Sequence, residues 1–189
     1  IRFKKDNTIR IWNVSNGKEM KKLVGRSNEV NSIQYSSNGQ IILSTSDDKT
    51  IGAWNVISGE RLQRLIGHSD IIIRAQFSPD GKFIVSCPWD KTIRIRNFET
   101  GKLVKILKGH TKDINDVKYF LDGQSISNDE TVRLWDVKSG NEIQILKEHF
   151  SAVFVCRCFT RWQYNCIWIS EFYNNLEIMK ISSFVKGNN

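Results

Sequence analysis

The feature that most constrains this chain of 189 residues is a set of glycines that recurs at a nearly fixed spacing. Gly17, Gly59, Gly101 and Gly140 are separated by steps of 42, 42 and 39 residues. Two further columns keep the step of 42, so that ten of the twelve glycines belong to a column. A period near forty indicates a repeat architecture, in which copies of one small unit are stacked. The members of the two further columns are Gly25, Gly67 and Gly109, and Gly39, Gly81 and Gly123.

Between these glycines the chain consists of short, alternating segments rich in β-branched residues. Such segments separated by glycine-containing turns predict short strands, four to each repeat. The repeats span about 6–46, 47–88, 89–127 and 128–158, which places one repeat domain at 1–158. We therefore predict an all-β fold made of four-stranded antiparallel units.

The composition is that of a soluble globular protein, with 40% hydrophobic and 25% charged residues. No apolar run is long enough to span a membrane, and no secretory signal can be read at the start. Because the first residue is Ile, we expect the chain to be a fragment at its N-terminus. One domain with a substantial core is expected at this length.

Cysteine is used irregularly, since Cys87 stands alone and Cys156, Cys158 and Cys166 lie in the last quarter. No C-x-x-C pair occurs, which argues against a structural zinc site. We expect buried, reduced cysteines and an intracellular protein, cytoplasmic or nuclear. Phosphate-binding glycine motifs are missing as well, so neither a metal nor a cofactor is predicted.

Specific residues within the repeats give the pattern a family resemblance. They are GH at 67–68 and 109–110, SPDG at 78–81, and D-x-T-[IV]-x-x-W at 48–54 and 129–135, the last followed by Asp136. The chain from position 6 to about 158 resembles the WD-repeat family of β-propellers, whose repeats of about 40–45 residues run from GH to WD. The resemblance implies a partial propeller of about three complete blades with parts of two more.

The resemblance also implies a hydrogen-bonded network in each blade, formed by a His, a Ser or Thr, an Asp and a Trp. Buried donors and acceptors must be paired, and such a network satisfies all its members together. One blade keeps all four residues, which are His110, Ser125, Asp129 and Trp135.

Two other blades keep three members of the network and replace the fourth. Arg26 stands where one blade should have His, and Arg96 stands where the next should have Trp. We expect these replacements to weaken the networks locally. The members retained are Ser44, Asp48 and Trp54 in the first case and His68, Ser86 and Asp90 in the second.

The same alignment argues against catalysis. His68, His110 and His149 occupy one repeat column, so that blade structure explains their positions. A Ser-His-Asp combination recurs from blade to blade, and a buried structural network does not expose a nucleophile. The sequence therefore predicts a protein that is not an enzyme.

Candidate partner-binding residues lie in two places. Trp89 precedes Asp90 in the turn between the second and third strands of its blade, and Asp47 and Asn128 hold the equivalent positions. An exposed Trp in a turn is typical of interface anchors. Arg74 and Asp116 occupy equivalent innermost-strand positions, which predicts that they face the central channel and pair across adjacent blades.

The net charge of +8 raises the possibility of nucleic-acid binding. Many of the basic residues recur on or beside the fourth strand, the outermost in a propeller, and lysine on an edge strand also discourages aggregation. A basic outer rim without interleaved stacking aromatics favours solvated edge charge over a nucleic-acid site. These residues are Lys18, Lys21, Lys22, Arg61, Arg64, Lys102 and Lys105.

The segment 159–189 departs from the repeat where another SPDG motif is due. One permitted choice of codons for 159–170, read one base later, encodes SPDGNIIVSGS, the missing motif in register. We interpret 159–189 as an out-of-frame continuation of the last blade. A divergent tail with aromatic contacts is the alternative.

These observations favour a non-catalytic scaffold that binds other proteins. The alternatives are nucleic-acid association through the basic rim and a degenerate gene fragment without independent function. Since an incomplete ring leaves blade faces open, we expect the chain to self-associate, with Ile9, Ile11 and Trp12 exposed at one end and Val153 and Phe154 at the other.

Overall fold

The chain forms β-sheets that follow one another along the sequence. The computed structural model describes residues 2–4, 7–119, 124–128, 131–146, 156–158, 166–169 and 178–180, and the side chains of 7–119, 131 and 133–145. Within these ranges there are five antiparallel sheets and no helix. The predicted all-β fold class is confirmed.

The N-terminal sheet is three-stranded and contains β1 (Arg2–Lys4), β2 (Thr8–Trp12) and β3 (Glu19–Leu23) in that order. Only the two outer strands of this unit were predicted, so β1 is an addition. It pairs with β2 through the register of Phe3 with Ile9.

Three four-stranded sheets follow, and each has its strands in sequence order across the sheet. We call them the first, second and third blade. The first blade contains β4 (Val30–Tyr35), β5 (Ile41–Ser46), β6 (Ile51–Asn55) and β7 (Arg61–Leu65). The second contains β8 (Ile72–Phe77), β9 (Phe83–Pro88), β10 (Thr92–Asn97) and β11 (Leu103–Lys108). The third contains β12 (Asp116–Tyr119), β13 (Gln124–Asn128), β14 (Val132–Asp136) and β15 (Glu142–Leu146).

A C-terminal sheet contains β16 (Cys156–Cys158), β17 (Cys166–Ile169) and β18 (Ile178–Lys180). Most of 159–189, and His149, Val153 and Phe154 before it, lie outside the described residues. The frameshift interpretation therefore stays a prediction.

Sequence repeats and structural blades are staggered by half a unit. The repeat at 6–46 supplies β2 and β3 to the N-terminal sheet and β4 and β5 to the first blade. Each repeat thus links the outer half of one sheet to the inner half of the next, which ties neighbouring sheets together covalently.

The core consists of apolar layers between consecutive sheets. Leu43 and Ile51 of the first blade pack with Ile72 and Ile84 of the second, and all four are buried. Val85 and Ile93, on the opposite face of the second blade, pack with residues of the third. Since side chains alternate along a strand, Ile84 and Val85 bury opposite faces of the same blade.

The expectation that Ile9 and Ile11 are exposed is wrong. They are 0% and 8% exposed, because they face the first blade and pack with Ile42 and Trp54. Side chains alternate between the two faces of β2, and Ile9 and Ile11 lie on the face that the following sheet covers.

The turn between the third and fourth strands of each blade has a common construction. In the first blade, Asn55 Oδ1 accepts hydrogen bonds from the amides of Ile57 and Ser58 at 2.8 and 2.9 Å. In the third blade, Asp136 Oδ1 accepts from the amide of Lys138 at 2.9 Å. The turn ends at a glycine with positive φ, such as Gly59 at 81°. This explains why an Asn or Asp follows the Trp column and a Gly comes four residues later.

Cys87 lies in the layer between the second and third blades and is fully buried. Burial raises the pKa of its thiol, which keeps it protonated. It thus has the buried apolar role that was expected from the sequence.

Candidate functional site

The network of the second blade connects His68, Ser86 and Asp90. His68 Nε2 lies 2.8 Å from Ser86 Oγ, and Nδ1 lies 3.2 Å from Asp90 Oδ2. The amide of Thr92 donates to Asp90 Oδ1 at 3.1 Å, and the Thr92 hydroxyl contacts the same oxygen. The histidine therefore connects the segment before β8 to β9 and to the turn before β10.

Burial lowers the pKa of His68 to about 4, although the hydrogen bond and charge of Asp90 oppose the shift. The imidazole is therefore neutral at pH 7, with Nδ1–H donating to the carboxylate. Burial favours protonation of Asp90, but hydrogen bonds from Thr92 and His68 outweigh it and lower its pKa.

Ser86, His68 and Asp90 are hydrogen-bonded in the sequence serine–histidine–aspartate that a catalytic triad has. They lack the solvent access that catalysis requires. Ser86 is 0% exposed, and its hydroxyl lies 3.4 Å from the carbonyl oxygen of Arg94. A nucleophile must reach a substrate carbonyl, and a hydroxyl enclosed by strands cannot. The geometry supports the structural interpretation of these residues.

In the first blade Arg26 takes the position of the histidine. Its Nη1 donates to Asp48 Oδ1 at 3.0 Å and to Thr50 Oγ1 at 2.6 Å, while Nη2 donates to Ser44 Oγ at 2.7 Å. Trp54 Nε1 donates to the same Ser44 Oγ at 2.7 Å. The network stays connected in this blade, because the arginine spans the distance from Asp48 to Ser44.

The side chains of Arg26 and Asp48 form a buried ion pair, being only 2% and 4% exposed. Burial lowers the pKa of the guanidinium, against the effect of Asp48. Burial by itself would raise the pKa of Asp48, but hydrogen bonds from Thr50 and the charge of Arg26 outweigh burial and lower the pKa. Both groups remain charged, so that each depends on the other.

Two residues that the sequence reasoning missed make this replacement possible. A Cβ at Gly52 would stand 2.9 Å from Arg26 Nη2, so only glycine leaves room for the guanidinium. Arg61 Nη1 donates to the carbonyl of Gly25 at 2.7 Å, as Arg94 does to the carbonyl of Gly67. Gly52 and Arg94 occupy one repeat column. The glycine at position 52, where the next repeat has arginine, is the sequence signal that accompanies Arg26.

The second blade has Arg96 in the tryptophan column. Its Nη2 donates to the carbonyl of Ile66 at 2.7 Å and its Nη1 to that of Gly101 at 3.2 Å. The guanidinium lies over Gly67, where a Cβ would be 2.9 Å from Nη2. Arg96 thus occupies the space of the indole but bonds to backbone carbonyls instead of to Ser86.

The third blade contains the sequence-complete network. His110 and Trp135 are buried, with ring centroids 6.3 Å apart. Ser125 pairs with Trp135 in the register of β13 and β14. Asp129 and the side chain of Ser125 lie outside the described residues.

Trp89 lies in the turn between β9 and β10 and is 40% exposed. Its amide donates to the carbonyl of Ile71 at 3.0 Å, and the amide of Asp47 makes the equivalent bond to Glu29 at 3.0 Å. Asp47 Oδ1 also accepts from Asn31 Nδ2 at 2.7 Å.

We call the surface formed by Trp89, Asp47 and Lys91 the Trp89 face. Asn128, the third equivalent residue, ends β13 and has no described side chain.

Arg74 and Asp116 are brought together across the second and third blades. Arg74 Nη1 lies 2.9 Å from Asp116 Oδ1, with side-chain exposures of 38% and 1%. Burial raises the pKa of Asp116, against the charge of Arg74. The pair lies at the innermost strands, beside a cleft of about 250 Å³. Gln34, Gln76 and Lys118 also line this cleft.

Part of the basic outer edge has a structural role that the sequence did not predict. Lys21 Nζ donates to the carbonyl of Ile57 in the next sheet, and Lys105 Nζ to that of Lys138 at 2.6 Å. Gln63, in the same repeat column, donates to the carbonyl of Glu99 at 3.1 Å. These side chains join the outermost strand of one sheet to a turn of the next.

The described side chains contain no group of three His, Cys, Asp or Glu that could hold a metal ion. Within the described part of the chain there is also no helix of the length and apolarity that a membrane crossing requires.

Comparison with known proteins identifies the repeats. The family model described as WD domain, G-beta repeat matches residues 17–55, 59–97 and 101–136, which together exceed half of the chain. A search of curated proteins found no match. Each matched range contains the last strand of one sheet and the first three strands of the blade that follows. Because the matches cover more than half of the chain, the chain belongs to the WD-repeat family.

Proposed function

We propose that this chain is a non-catalytic platform that binds protein partners through the Trp89 face. WD repeats generally mediate protein–protein interactions, and proteins built from them are typically non-enzymatic. The observation that carries the proposal is the exposure of Trp89, a large aromatic side chain at the tip of a fixed turn.

The turn beneath Trp89 is held in place by several groups. Asp90 is anchored by His68 and Thr92, and the backbone of Trp89 is bonded to Ile71. Lys91 completes the turn with φ of 62°. Because the backbone is already ordered, a partner that covers the indole loses little conformational entropy of this chain on binding.

The neighbouring turn is equally constrained. Lys49 Nζ donates to the carbonyl of Ser69 at 2.8 Å, which joins the turns of the first and second blades. Asn31 bridges Asp47 and the carbonyl of Ile72, at 2.7 and 3.1 Å. These bonds hold the turns of the two blades together, so that the Trp89 face combines an aromatic anchor and a carboxylate on an ordered backbone.

The nucleic-acid alternative is supported less well. Lys21 and Lys105 are engaged in hydrogen bonds between sheets, so that they do not form a free row of phosphate ligands. Trp89, the aromatic side chain that a stacking mode would need, does not lie on this outer edge.

Quantitative affinity capture with the full chain tests the proposal. We compare the unchanged chain, Trp89→Ala and the control Val14→Ala, which truncates a 99% exposed side chain in another turn. Proteins that bind the Trp89 face should be retained by the control and lost from Trp89→Ala. For a purified partner, the loss should be about 2 kcal/mol or more, as at a hot spot. Equal affinity of both variants would remove Trp89 from the binding surface.

A further inference from the structure

The third strand of the second blade carries a buried positive charge, that of Arg96. Arg96 replaces the tryptophan that Trp54 and Trp135 provide in the neighbouring blades. Its two terminal nitrogens donate to backbone carbonyls, and the buried Nε has no partner among the described residues. With 7% exposure, this guanidinium is fixed, and it forms no ion pair with a carboxylate in the described part of the chain.

A second replacement in the same blade removes a negative charge. In the N-terminal sheet Arg10 pairs with Glu19 at 2.8 Å, and in the third blade Arg133 pairs with Glu142 at 2.5 Å. The equivalent of these glutamates in the second blade is Leu103. Arg94 therefore lacks the fourth-strand carboxylate, and the carboxylate that it contacts among the described residues is that of Asp90, at 3.4 Å.

Arg96 lines a groove between the first and second blades. It has a volume of about 370 Å³ and is lined by Gln63–Ile66 of the first blade and by Arg96 and Thr100–Lys102 of the second. Arg64, Arg96 and Lys102 contribute three positive charges to the lining, and no lining residue is acidic. Arg64 and Lys102 are exposed, so that their side chains can turn toward a ligand.

We propose that this groove binds an acidic side chain of a partner protein, either a carboxylate or a phosphorylated residue. A fixed guanidinium provides the base of the site, and two exposed cations can close over the oxyanion. Because the rim residues Lys21 and Lys105 are bonded to neighbouring sheets, the cations do not continue as the row that a nucleic-acid backbone would require.

The site is separate from the Trp89 face, so that each can be tested without the other. Fluorescence anisotropy of the full chain is measured with two labelled probes, a hexaglutamate peptide and a neutral peptide that carries one phosphoserine. The two probes distinguish a carboxylate from a phosphate as the preferred oxyanion. Binding of at least one is expected, with Trp89→Ala showing the same affinity as the unchanged chain.

Two variants locate the binding in the groove. Arg96→Trp restores the residue of the neighbouring blades, so that it should preserve folding. It should lower the affinity for the bound probe by about tenfold, which is the effect expected for the loss of one hydrogen bond to a charged group. Arg64→Gln should also weaken binding. Its matched control is Lys22→Gln, which removes an exposed cation from the equivalent position of the N-terminal sheet and should leave the affinity unchanged.

Three results would overturn the proposal. The first is that neither probe binds. The second is that Arg96→Trp binds the probes as tightly as the unchanged chain while its melting temperature shows that it is folded. The third is that a single-stranded oligonucleotide binds more tightly than either peptide and loses affinity in the same variants, which would assign the groove to nucleic acid.

Discussion

The guanidinium of Arg26 fills the space that a side chain at position 52 would need. A Cβ at Gly52 would lie 2.9 Å from Arg26 Nη2 and 2.8 Å from Trp54 Nε1. The second blade instead combines His68 with Arg94, and the third combines His110 with Arg133. The first blade has exchanged a neutral ring and a distant arginine for an arginine and a glycine, which keeps the network connected.

Gly52→Ala should destabilise the chain by about 2 kcal/mol, because a methyl group in this packed position forces Arg26 and Trp54 apart. An unstrained alanine would otherwise stabilise a strand slightly relative to glycine. Denaturant unfolding measures the difference. A variant as stable as the unchanged chain would show that Arg26 can move away at no cost.

The exchange also predicts that positions 26 and 52 are coupled. Gly52→Arg alone should be strongly destabilising, and Arg26→His alone should leave the space at residue 52 empty. The double variant restores the combination found in the second blade, and should be more stable than the sum of the single effects by at least about 1 kcal/mol. Additive effects in this double-mutant cycle would contradict the coupling.

The network of the second blade should make stability depend on pH. The pKa of His68 is about 4 in the folded chain against an ordinary value of 6.5, so the unfolded chain binds a proton first as the pH falls. The contribution of His68 to the free energy of unfolding is therefore fully present above pH 6.5. It is lost between pH 6.5 and 4, and the loss is about 3 kcal/mol at most. Below that range, protonation of Asp90 and Asp48 lowers the free energy of unfolding further, because folding lowers the pKa values of both carboxyl groups.

Unfolding free energies measured between pH 7 and pH 4 check this dependence. His68→Gln removes the titrating group while retaining a side chain that can hydrogen-bond, so its profile in this range should be flatter. An equal slope in both proteins would show that other groups carry the pH dependence.

The sequence was sufficient for the strand pattern and the blade order, because glycine columns and alternating apolar residues report local turns and faces directly. It also placed Arg74 and Asp116 at equivalent positions, where the structure shows their contact. It did not show that Arg26 reaches both Asp48 and Ser44, since this depends on the space left by Gly52 in another strand. The burial of Ile9 and Ile11 was missed because it depends on which neighbouring sheet they face.

The hydrogen bonds between sheets predict that one lysine of the outer edge is structural and its neighbour is not. Lys21→Met should destabilise by about 1 kcal/mol, the usual contribution of one hydrogen bond. Lys22→Met, which removes an exposed lysine one residue later, is the control and should stay within about 0.5 kcal/mol. Neither variant should change binding to an oligonucleotide. If Lys21→Met instead lowered the salt slope of such binding by about 0.9 without affecting stability, the edge would be a nucleic-acid site.

The interpretation of 159–189 is tested by nucleic-acid sequence. Genomic and transcript sequences across codons 150–180 should contain SPDG one base out of frame. Finding no such motif would favour the divergent tail. A corrected reading frame should restore glycine and serine at the positions where the repeat requires a turn and a second strand.

The last prediction concerns self-association, for which the structure provides a different surface from the one expected. The outermost strand of the second blade, β11, exposes Leu103, Val104 and Ile106 by 42%, 52% and 37%. In the described sheets its outer edge pairs with no further strand. An apolar edge strand of this kind favours pairing with another chain, although Lys105 and Lys108 oppose it.

We therefore expect size-exclusion chromatography with light scattering to give a mass above the 21.9 kDa of one chain. The double variant Val104→Lys and Ile106→Lys should shift the population toward monomer, because it adds charge to the edge that pairs. Val14→Lys adds charge to a fully exposed turn and should have no such effect. A compact monomer that melts cooperatively without these changes would show that the apolar edge does not drive association, and that the sheets stabilise one another without a second chain.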